Sequence, residues 1–171
     1  MFAKYSSQSP TALHPISLSF AFSKPAHIIA TFFGTGVLRP ASGTFGTLAA
    51  WLLYLLLSPY LPQTFWIIAI IVAFFAGVWA CEVTCADIGV HDHTSTVIDE
   101  VFAIWIVLLT VPATLSWQIA AFIAFRFFDI VKIPPASWLD QEVLNGWGIM
   151  ADDLAAAVQA AIVLWLAGLF I

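Results

Sequence analysis

Long apolar stretches alternate with short polar ones along most of the chain. Runs without any charged residue cover residues 45–57, 65–81, 101–125 and 154–171. One helix that crosses a hydrocarbon core of about 30 Å needs about 20 residues. The first run is therefore short for a crossing, and the third could form one long helix or two shorter ones.

The third run is interrupted near its middle by Pro112, with Thr110, Thr114, Ser116 and Gln118 around it. A proline lacks a backbone donor and disfavours helix in the residue before it. We therefore expect a helical hairpin here rather than one continuous helix. The chain then forms about five short helices, near residues 44–57, 65–84, 98–111, 116–131 and 153–171.

The composition points to lipid as the environment of these helices. Hydrophobic residues make up 62% of the chain and charged residues 9%, against roughly 45–50% and about 25% in soluble domains. Five Lys and Arg residues are too few and too scattered to bind nucleic acid. The low charge also excludes a disordered chain. We predict an all-α, polytopic membrane helix bundle.

Five crossings would place every charged residue on one face of the membrane. Segments 1–43, 82–100 and 126–153 share that face, whereas the links 58–64 and 112–116 on the other face hold no charge. By the positive-inside rule, the face that carries the basic residues is cytoplasmic. We expect a multi-pass membrane protein with its polar site facing the cytoplasm. The basic residues are Lys4, Lys24, Arg39, Arg126 and Lys132.

The remaining chain organisation is simple. We expect a flexible N-terminal segment over residues 1–25, without a cleaved signal peptide, and one membrane-embedded domain over 26–171. Cys81 and Cys85 are four residues apart, a spacing that would strain a disulfide within a helix. They are interpreted as small residues that face lipid or the core.

A glycine-rich loop over residues 34–47 leads directly into the first apolar helix. Glycines let backbone amides approach an anion, and a helix N-terminus adds amides without partners and partial positive charge. Thr44 and Thr47 could add hydroxyl donors. The loop is thus a candidate phosphate cradle, although it lacks the Gly-Lys-Ser/Thr ending of a Walker A loop. The alternative is a cap and tight turn at the membrane surface.

A second polar cluster contains His91, His93, Asp99 and Glu100, with the acids at the start of a helix. Acids there suit the helix dipole, so one carboxylate could serve only that purpose. The histidines could bind a metal or hydrogen-bond within their loop, and their spacing fits a structural zinc site poorly.

Two further clusters lie near the ends of later helices. Arg126, Asp129 and Lys132 spread over about 120° of one helix face, and the alternative to a functional site is an ion pair between Arg126 and Asp129. Asp152 and Asp153 precede the last apolar run, after glycines expected to form a sharp turn. One aspartate is expected to cap that helix, leaving the other to bind a cation.

Together the clusters supply carboxylates from three segments, basic residues and an anion cradle on one membrane face. Hard oxygen ligands without cysteine favour Mg²⁺, which commonly binds a few carboxylates, waters and a substrate phosphate. Phosphoryl chemistry on a membrane-borne substrate follows from this combination.

Four stretches in this order resemble the phosphatidylglycerophosphatase A family of bacterial membrane phosphatases. They are Pro-Ala-Ser-Gly-Thr-Phe-Gly-Thr-Leu within 34–48, Gly-Val-His-Asp-His and Val-Ile-Asp-Glu within 87–105, Phe-Arg-Phe-Phe-Asp-Ile-Val-Lys at 125–132, and Gly-Ile-Met-Ala-Asp-Asp within 146–153. The resemblance covers about residues 26–171. The sequence departs from the family pattern at Ser42, Ile98 and residues 133–135, and none of these changes removes an ionisable group.

The resemblance implies an all-helical enzyme that uses Mg²⁺ to hydrolyse phosphatidylglycerophosphate to phosphatidylglycerol and inorganic phosphate. The implied catalytic residues are Asp99, Glu100, Asp129 and Asp153. The implied phosphate-binding residues are Thr44, Gly46, Thr47, Arg126 and Lys132. The implied metal ligands are Asp99, Glu100, Asp129, Asp152 and Asp153. Which carboxylate acts as base, and the oligomeric state, stay open.

Two other functions compete with this one. A small cation-coupled transporter could use the same acids as an ion path, but it would need charges near the bilayer midplane in broken helices or repeats. A non-catalytic assembly subunit would leave the paired acids unexplained. The partners expected for the phosphatase are a phospholipid substrate and the bilayer.

Overall fold

The computed structural model describes residues 14–169, which are all-helical. A 3₁₀ turn, Thr35–Val37, precedes the long helices. The five predicted helices correspond to the five long ones, and three short helices were not predicted. In chain order the helices are α1 (Leu18–Ala21), α2 (Pro25–Ala30), α3 (Ser42–Leu57), α4 (Gln63–Ile88), α5 (Ile98–Thr110), α6 (Leu115–Val131), α7 (Ala136–Glu142) and α8 (Gly146–Gly168).

The predicted hairpin at Pro112 is confirmed. Helix α5 ends at Thr110, and the next residue, Val111, has an extended backbone with φ −115° and ψ 158°. This is the conformation that a following proline favours. Helix α6 then starts at Leu115, so a single continuous helix is wrong.

Helix α5 lies at the centre of the bundle. Ten of its 13 residues are buried, and it packs against α3, α4, α6 and α8. Trp105 donates from Nε1 to the carbonyl oxygen of Ala50 at 3.0 Å, which ties α5 to α3. The other long helices therefore surround a helix that has almost no exposed surface.

The outer helices turn large apolar side chains outward. Leu56, Val72, Ile123 and Trp165 are each at least 60% exposed. Within residues 14–169, two helices, α4 and α8, are long and apolar enough to cross a membrane. An apolar exterior of this extent is typical of interaction with lipid or another protein.

The two ends of the bundle differ in charge. At one end, here called the charged end, α5, α6 and α8 bring Glu100, Arg126 and Asp152 together with Lys132. The opposite, uncharged end consists of the two links 58–62 and 111–114, which hold no charged residue. Both links line one cavity of about 250 Å³, so they lie at the same end of the bundle, as predicted.

The start of the last helix differs from the prediction. Helix α8 begins seven residues earlier than residue 153, with Asn145 as its cap, because the Asn145 side chain accepts hydrogen bonds from two amides of the first turn. Asp152 and Asp153 lie about two turns inside the helix, so the expectation that one of them is the cap is wrong. Gly146 and Gly148 form the first turn, where neighbouring carbonyl groups leave no room for a Cβ atom.

The N-terminal part of the chain is fixed against the charged end of α4. Lys24 Nζ and His27 Nε2 lie 2.5 and 2.8 Å from Asp87 Oδ2. The flexible segment predicted for residues 1–25 falls partly on residues 1–13, which lie outside the described residues. Its described part contains α1 and leads into α2.

Cys81 and Cys85 are both free and buried in α4. They face the core, as predicted, and Cys81 is completely inaccessible. No disulfide links them.

Candidate active site

The first turn of α3 lies directly on the charged groups of α5 and α6. A Cβ atom on Gly43 would be 2.1 Å from Glu100 Oε1 and 3.1 Å from both terminal nitrogens of Arg126. Only glycine permits this approach. The close approach at Gly43 places the N-terminus of α3 beside the Arg126 guanidinium. The first amides of a helix have no partner within it, so this N-terminus brings free backbone donors to the site.

Thr47 connects this helix to Arg126. Its Oγ1 donates to the carbonyl oxygen of Gly43 at 2.8 Å and accepts from Arg126 NH1 at 3.3 Å. The side chain is fully buried. Thr44, the other predicted hydroxyl donor, lies in the first turn of α3 and is half-buried. The structure thus places Thr47 at the arginine, and Thr44 one turn earlier.

Gly46 serves the packing of α3 in this structure. A Cβ atom at Gly46 would lie 2.7 Å from the Cβ atom of Val97, just before α5. Gly46 is buried, and its lack of a side chain lets α3 approach the start of α5. Its predicted role in binding phosphate stays a prediction.

Arg126 lies between two carboxylates. Its NH1 is 2.6 Å from Asp129 Oδ2, one helical turn further along α6, and 3.3 Å from Glu100 Oε1 on α5. Each of the three residues is 8% exposed. The ion pair between Arg126 and Asp129 is therefore present, but it belongs to a larger group that joins two helices.

Lys132 forms a second connection between helices. It ends α6 in a left-handed conformation, with φ 49°. Its Nζ lies 2.6 Å from Asp140 Oδ1 and also contacts Asp152 Oδ2. Burial by itself would lower the pKa of Lys132, but the nearby charges of Asp152, Asp92 and Asp153 raise it above its usual value. The ammonium group is therefore positively charged.

Asp153 is the acid at the centre of the charged end. It is 3% exposed, and the charges of Asp129, Asp99, Asp152 and Glu100 all act on its carboxyl group. Its Oδ2 is buried and has no hydrogen-bond partner among the described residues. A buried carboxylate oxygen without a donor is unfavourable unless a cation or a proton is bound to it. The five predicted acids thus share one region, around an oxygen that is available to a cation.

The arrangement fits a divalent cation that is only partly held by protein. Within residues 14–169, no three His, Cys, Asp or Glu side chains are close enough to hold a metal ion by themselves. Mg²⁺ is commonly bound through one or two carboxylates, with waters and substrate phosphate completing its shell. The oxygen Asp153 Oδ2 suits such a site.

The histidines lie in the loop before α5. His93 is fully buried, its Nε2 donates to the carbonyl oxygen of His14 at 2.9 Å, and its Nδ1 accepts from the Ser95 amide at 3.1 Å. Both ring nitrogens are thus used in hydrogen bonds, Nδ1 within the loop and Nε2 to the N-terminal segment, which favours the hydrogen-bonding alternative of the prediction. His91 is exposed.

Comparison with known proteins gives the family. The family model for phosphatidylglycerophosphatase A matches residues 28–168, which is most of the chain. The chain belongs to the phosphatidylglycerophosphatase A family. As a member of this family it is a phosphatase, a phosphoric monoester hydrolase.

Individual relatives of the phosphatidylglycerophosphatase A family match over similar lengths. A phosphatidylglycerophosphatase A from Haemophilus influenzae is 45% identical over 143 residues, covering 82% of this chain and 87% of the relative. One from Escherichia coli K12 is 38% identical over 147 residues, covering 85% of each. A protein from Bacteroides thetaiotaomicron, provisionally named a phosphatidylinositol-3-phosphatase, is 38% identical over 144 residues, covering 80% of this chain and 89% of the relative. No solved structure matches the chain.

Two residues at the site of this phosphatidylglycerophosphatase A family member escaped the sequence analysis. Gly43 was part of the quoted loop, but nothing in the sequence identified Glu100 and Arg126 as its neighbours. Asp140 follows Lys132 by eight residues on the short helix α7. The only signal in the sequence was that an acidic residue follows a basic one after eight residues, with two prolines between them.

Proposed function

We propose that this phosphatase hydrolyses phosphatidylglycerophosphate to phosphatidylglycerol and inorganic phosphate, in a Mg²⁺-dependent reaction at the cytoplasmic face of the bacterial inner membrane. One observation carries the proposal. Arg126 and Lys132 lie among buried carboxylates at one end of an apolar bundle. That combination can bind a phosphate group and a cation beside a lipid phase.

The terminal phosphate of the substrate would bind at the basic groups. Arg126 and Lys132 supply positive charge, the first turn of α3 supplies backbone amides, and the hydroxyls of Thr44 and Thr47 are further donors. Arginine suits phosphate because its planar group donates two parallel hydrogen bonds. The names of the relatives from Haemophilus influenzae and Escherichia coli support phosphatidylglycerophosphate as the substrate.

The acids would hold the metal ion. When bound, Mg²⁺ would neutralise charge on the phosphoryl group and help to orient it. The ligands would come from the five acids whose charges meet at the charged end, with Asp153 favoured by the oxygen that lacks a hydrogen-bond donor. They are Asp99, Glu100, Asp129, Asp152 and Asp153.

Water attacks the terminal phosphorus in the proposed reaction. A new bond forms from the water oxygen to phosphorus, and the bond from phosphorus to the glycerol oxygen breaks. A carboxylate of the site accepts a proton from the water, and the departing glycerol oxygen takes up a proton. Arg126 would stabilise the negative charge that develops on the phosphoryl oxygens during this transfer, while Lys132 would hold the phosphate equally in the ground state and the transition state. Asp99, Glu100, Asp129 and Asp153 are the candidate acceptors.

The exterior of the bundle supports an embedded protein. Both α4 and α8 are long and apolar enough to span a bilayer, and exposed side chains such as Val72 and Trp165 would contact lipid. The basic residues Lys24, Arg39, Arg126 and Lys132 belong to segments at the charged end. The positive-inside rule then favours a cytoplasmic orientation of that end.

A transporter is less well supported. An ion path would need ionisable groups near the middle of the membrane. In the described residues, the buried Asp, Glu and Arg side chains lie within about two turns of helix ends at the charged end, and the two links at the uncharged end hold no charged residue. Ion flux through reconstituted protein that releases no phosphate would favour the transporter.

The test is a phosphate-release assay on the purified full-length protein. The substrates are phosphatidylglycerophosphate, phosphatidylinositol 3-phosphate and phosphatidic acid, each with Mg²⁺ or with a chelator. We expect the highest kcat/KM on phosphatidylglycerophosphate, and no release with the chelator. Preference for phosphatidylinositol 3-phosphate would contradict the proposed substrate. Undiminished release with the chelator would contradict the metal requirement.

A further inference from the structure

Two aspartates from different helices hold the Lys132 ammonium group. Nζ lies 2.6 Å from Asp140 Oδ1 on α7 and contacts Asp152 Oδ2 on α8. The Asp152 side chain is 5% exposed, whereas the Asp140 side chain is 31% exposed. Asp152 therefore contacts the ammonium from the interior, and Asp140 contacts it from nearer the surface.

The backbone on both sides of Lys132 is anchored. Before it lies the last turn of α6, and the Lys132 amide donates to the carbonyl oxygen of Phe128 at 2.8 Å. After it, Gln159 Nε2 on α8 donates to the carbonyl oxygens of Ile133 and Pro134, at 3.1 and 2.8 Å. The remaining freedom of Lys132 is in its four-carbon side chain, which is flexible in the absence of contacts.

An ammonium group has three N–H donors arranged tetrahedrally. Asp140 and Asp152 each occupy one direction around Nζ, which fixes the direction of the third N–H. If only Asp152 remained, the ammonium could rotate and swing about that single contact. Two anchors therefore orient the donor that is left for a ligand.

We infer that Asp140 is a positioning residue, which orients the Lys132 ammonium so that its third N–H donates to the substrate phosphate. This inference rests on the proposed function of Lys132 in binding phosphate. Asp140 itself does not touch the substrate. The pair is partly buried, with side-chain exposures of 20% for Lys132 and 31% for Asp140, so the tests rely on KM and kcat rather than on folding stability.

The first test compares Asp140→Asn with the wild-type protein on phosphatidylglycerophosphate. We expect KM to rise roughly tenfold, because a charge-assisted hydrogen bond that fixes Lys132 is weakened. We expect kcat to stay within about twofold, because Lys132 would contact the phosphate in both the ground state and the transition state. Asp140→Glu keeps the charge and should recover most of the KM effect.

The second test is a double-mutant cycle with Lys132→Met. If Asp140 acts through Lys132, Asp140→Asn adds nothing once Lys132 is gone. Glu142→Gln is the matched control, because it removes an exposed acid from the same helix, and its KM should equal that of the wild type. Where turnover by Lys132→Met is too slow to measure, the cycle uses the Kd of a phosphonate analogue of the substrate.

Several results would overturn the inference. The first is an unchanged KM in Asp140→Asn. The second is a double variant in which the KM effects of Asp140→Asn and Lys132→Met multiply. The third is a rise in KM in Glu142→Gln equal to that in Asp140→Asn. If Asp140→Asn does not fold, Asp140→Glu decides. If the KM of Asp140→Glu is below that of Lys132→Met, the inference is supported. If the two KM values are equal, the inference is overturned. A KM in Lys132→Met equal to that of the wild-type protein would also overturn the inference. The proposed function is tested separately, by phosphate release from the wild-type protein.

Discussion

The charged and uncharged ends of this bundle are built from the same apolar helices but differ in what they bury. At the charged end, Arg126, Asp129 and Asp153 are each at most 8% exposed. At the uncharged end, the links around Ser58 and Val111 enclose a cavity with hydroxyl, amide and apolar groups. Ionisable side chains are thus concentrated where several helices meet and can supply partners of opposite charge.

Stability alone gives no reason for the charged end. Burying an ion pair such as Arg126 with Asp129 costs desolvation that the attraction does not always offset, and apolar replacements are often at least as stable. The unsatisfied oxygen of Asp153 adds a further cost. The uncharged end shows that this chain can close a helical link without any charge. The charges are better explained by chemistry than by folding.

The largest expected contrast between the ends comes from Asp153→Asn and Ser58→Ala. Asp153→Asn keeps the shape but removes the charge that would hold the metal or accept the proton, so kcat should fall roughly 100-fold or more. Ser58→Ala removes a hydroxyl from the cavity at the uncharged end and should leave kcat within about twofold. Thermal unfolding is the control, since Asp153→Asn should not lower Tm. Equal kcat values for the two variants would contradict the contrast.

A smaller effect is expected from adding one methyl group at each end. In Gly43→Ala the new Cβ would meet Glu100 Oε1, and we expect kcat/KM to fall roughly tenfold as the Arg126 group is displaced. In Gly168→Ala the nearest atom is a Trp117 ring carbon at 3.5 Å, an ordinary contact, so kcat/KM should not change. An unaffected Gly43→Ala variant would show that close approach of α3 is unnecessary.

The features that the sequence predicted correctly depend on local signals. The break at Pro112 follows from the missing donor of one residue, and it determines how the helices alternate in direction. Once that alternation is known, Asp99 and Arg126 fall at the same end without any knowledge of their contacts. Five long helices and a charged end could therefore be predicted.

The features that were missed depend on contacts between distant residues. The start of α8 was placed too late because Asp152 and Asp153, just before an apolar run, resemble the start of a helix. In the structure Asp152 lies inside α8, where it contacts Lys132. Helix α7 is only seven residues long, too short for a periodic pattern, so Asp140 had no visible role. The packing of Gly43 on Glu100 joins residues far apart in the chain.

The central claim is that phosphate chemistry takes place at the charged end and that this end faces the cytoplasm. The most direct measurement uses sealed membrane vesicles of both orientations, containing the full-length protein, with Mg²⁺ and short-chain phosphatidylglycerophosphate added outside. Vesicles with the cytoplasmic face outward should release phosphate at once, and vesicles of the opposite orientation should do so only after detergent opens them. Immediate release from vesicles with the cytoplasmic face inward would contradict the account.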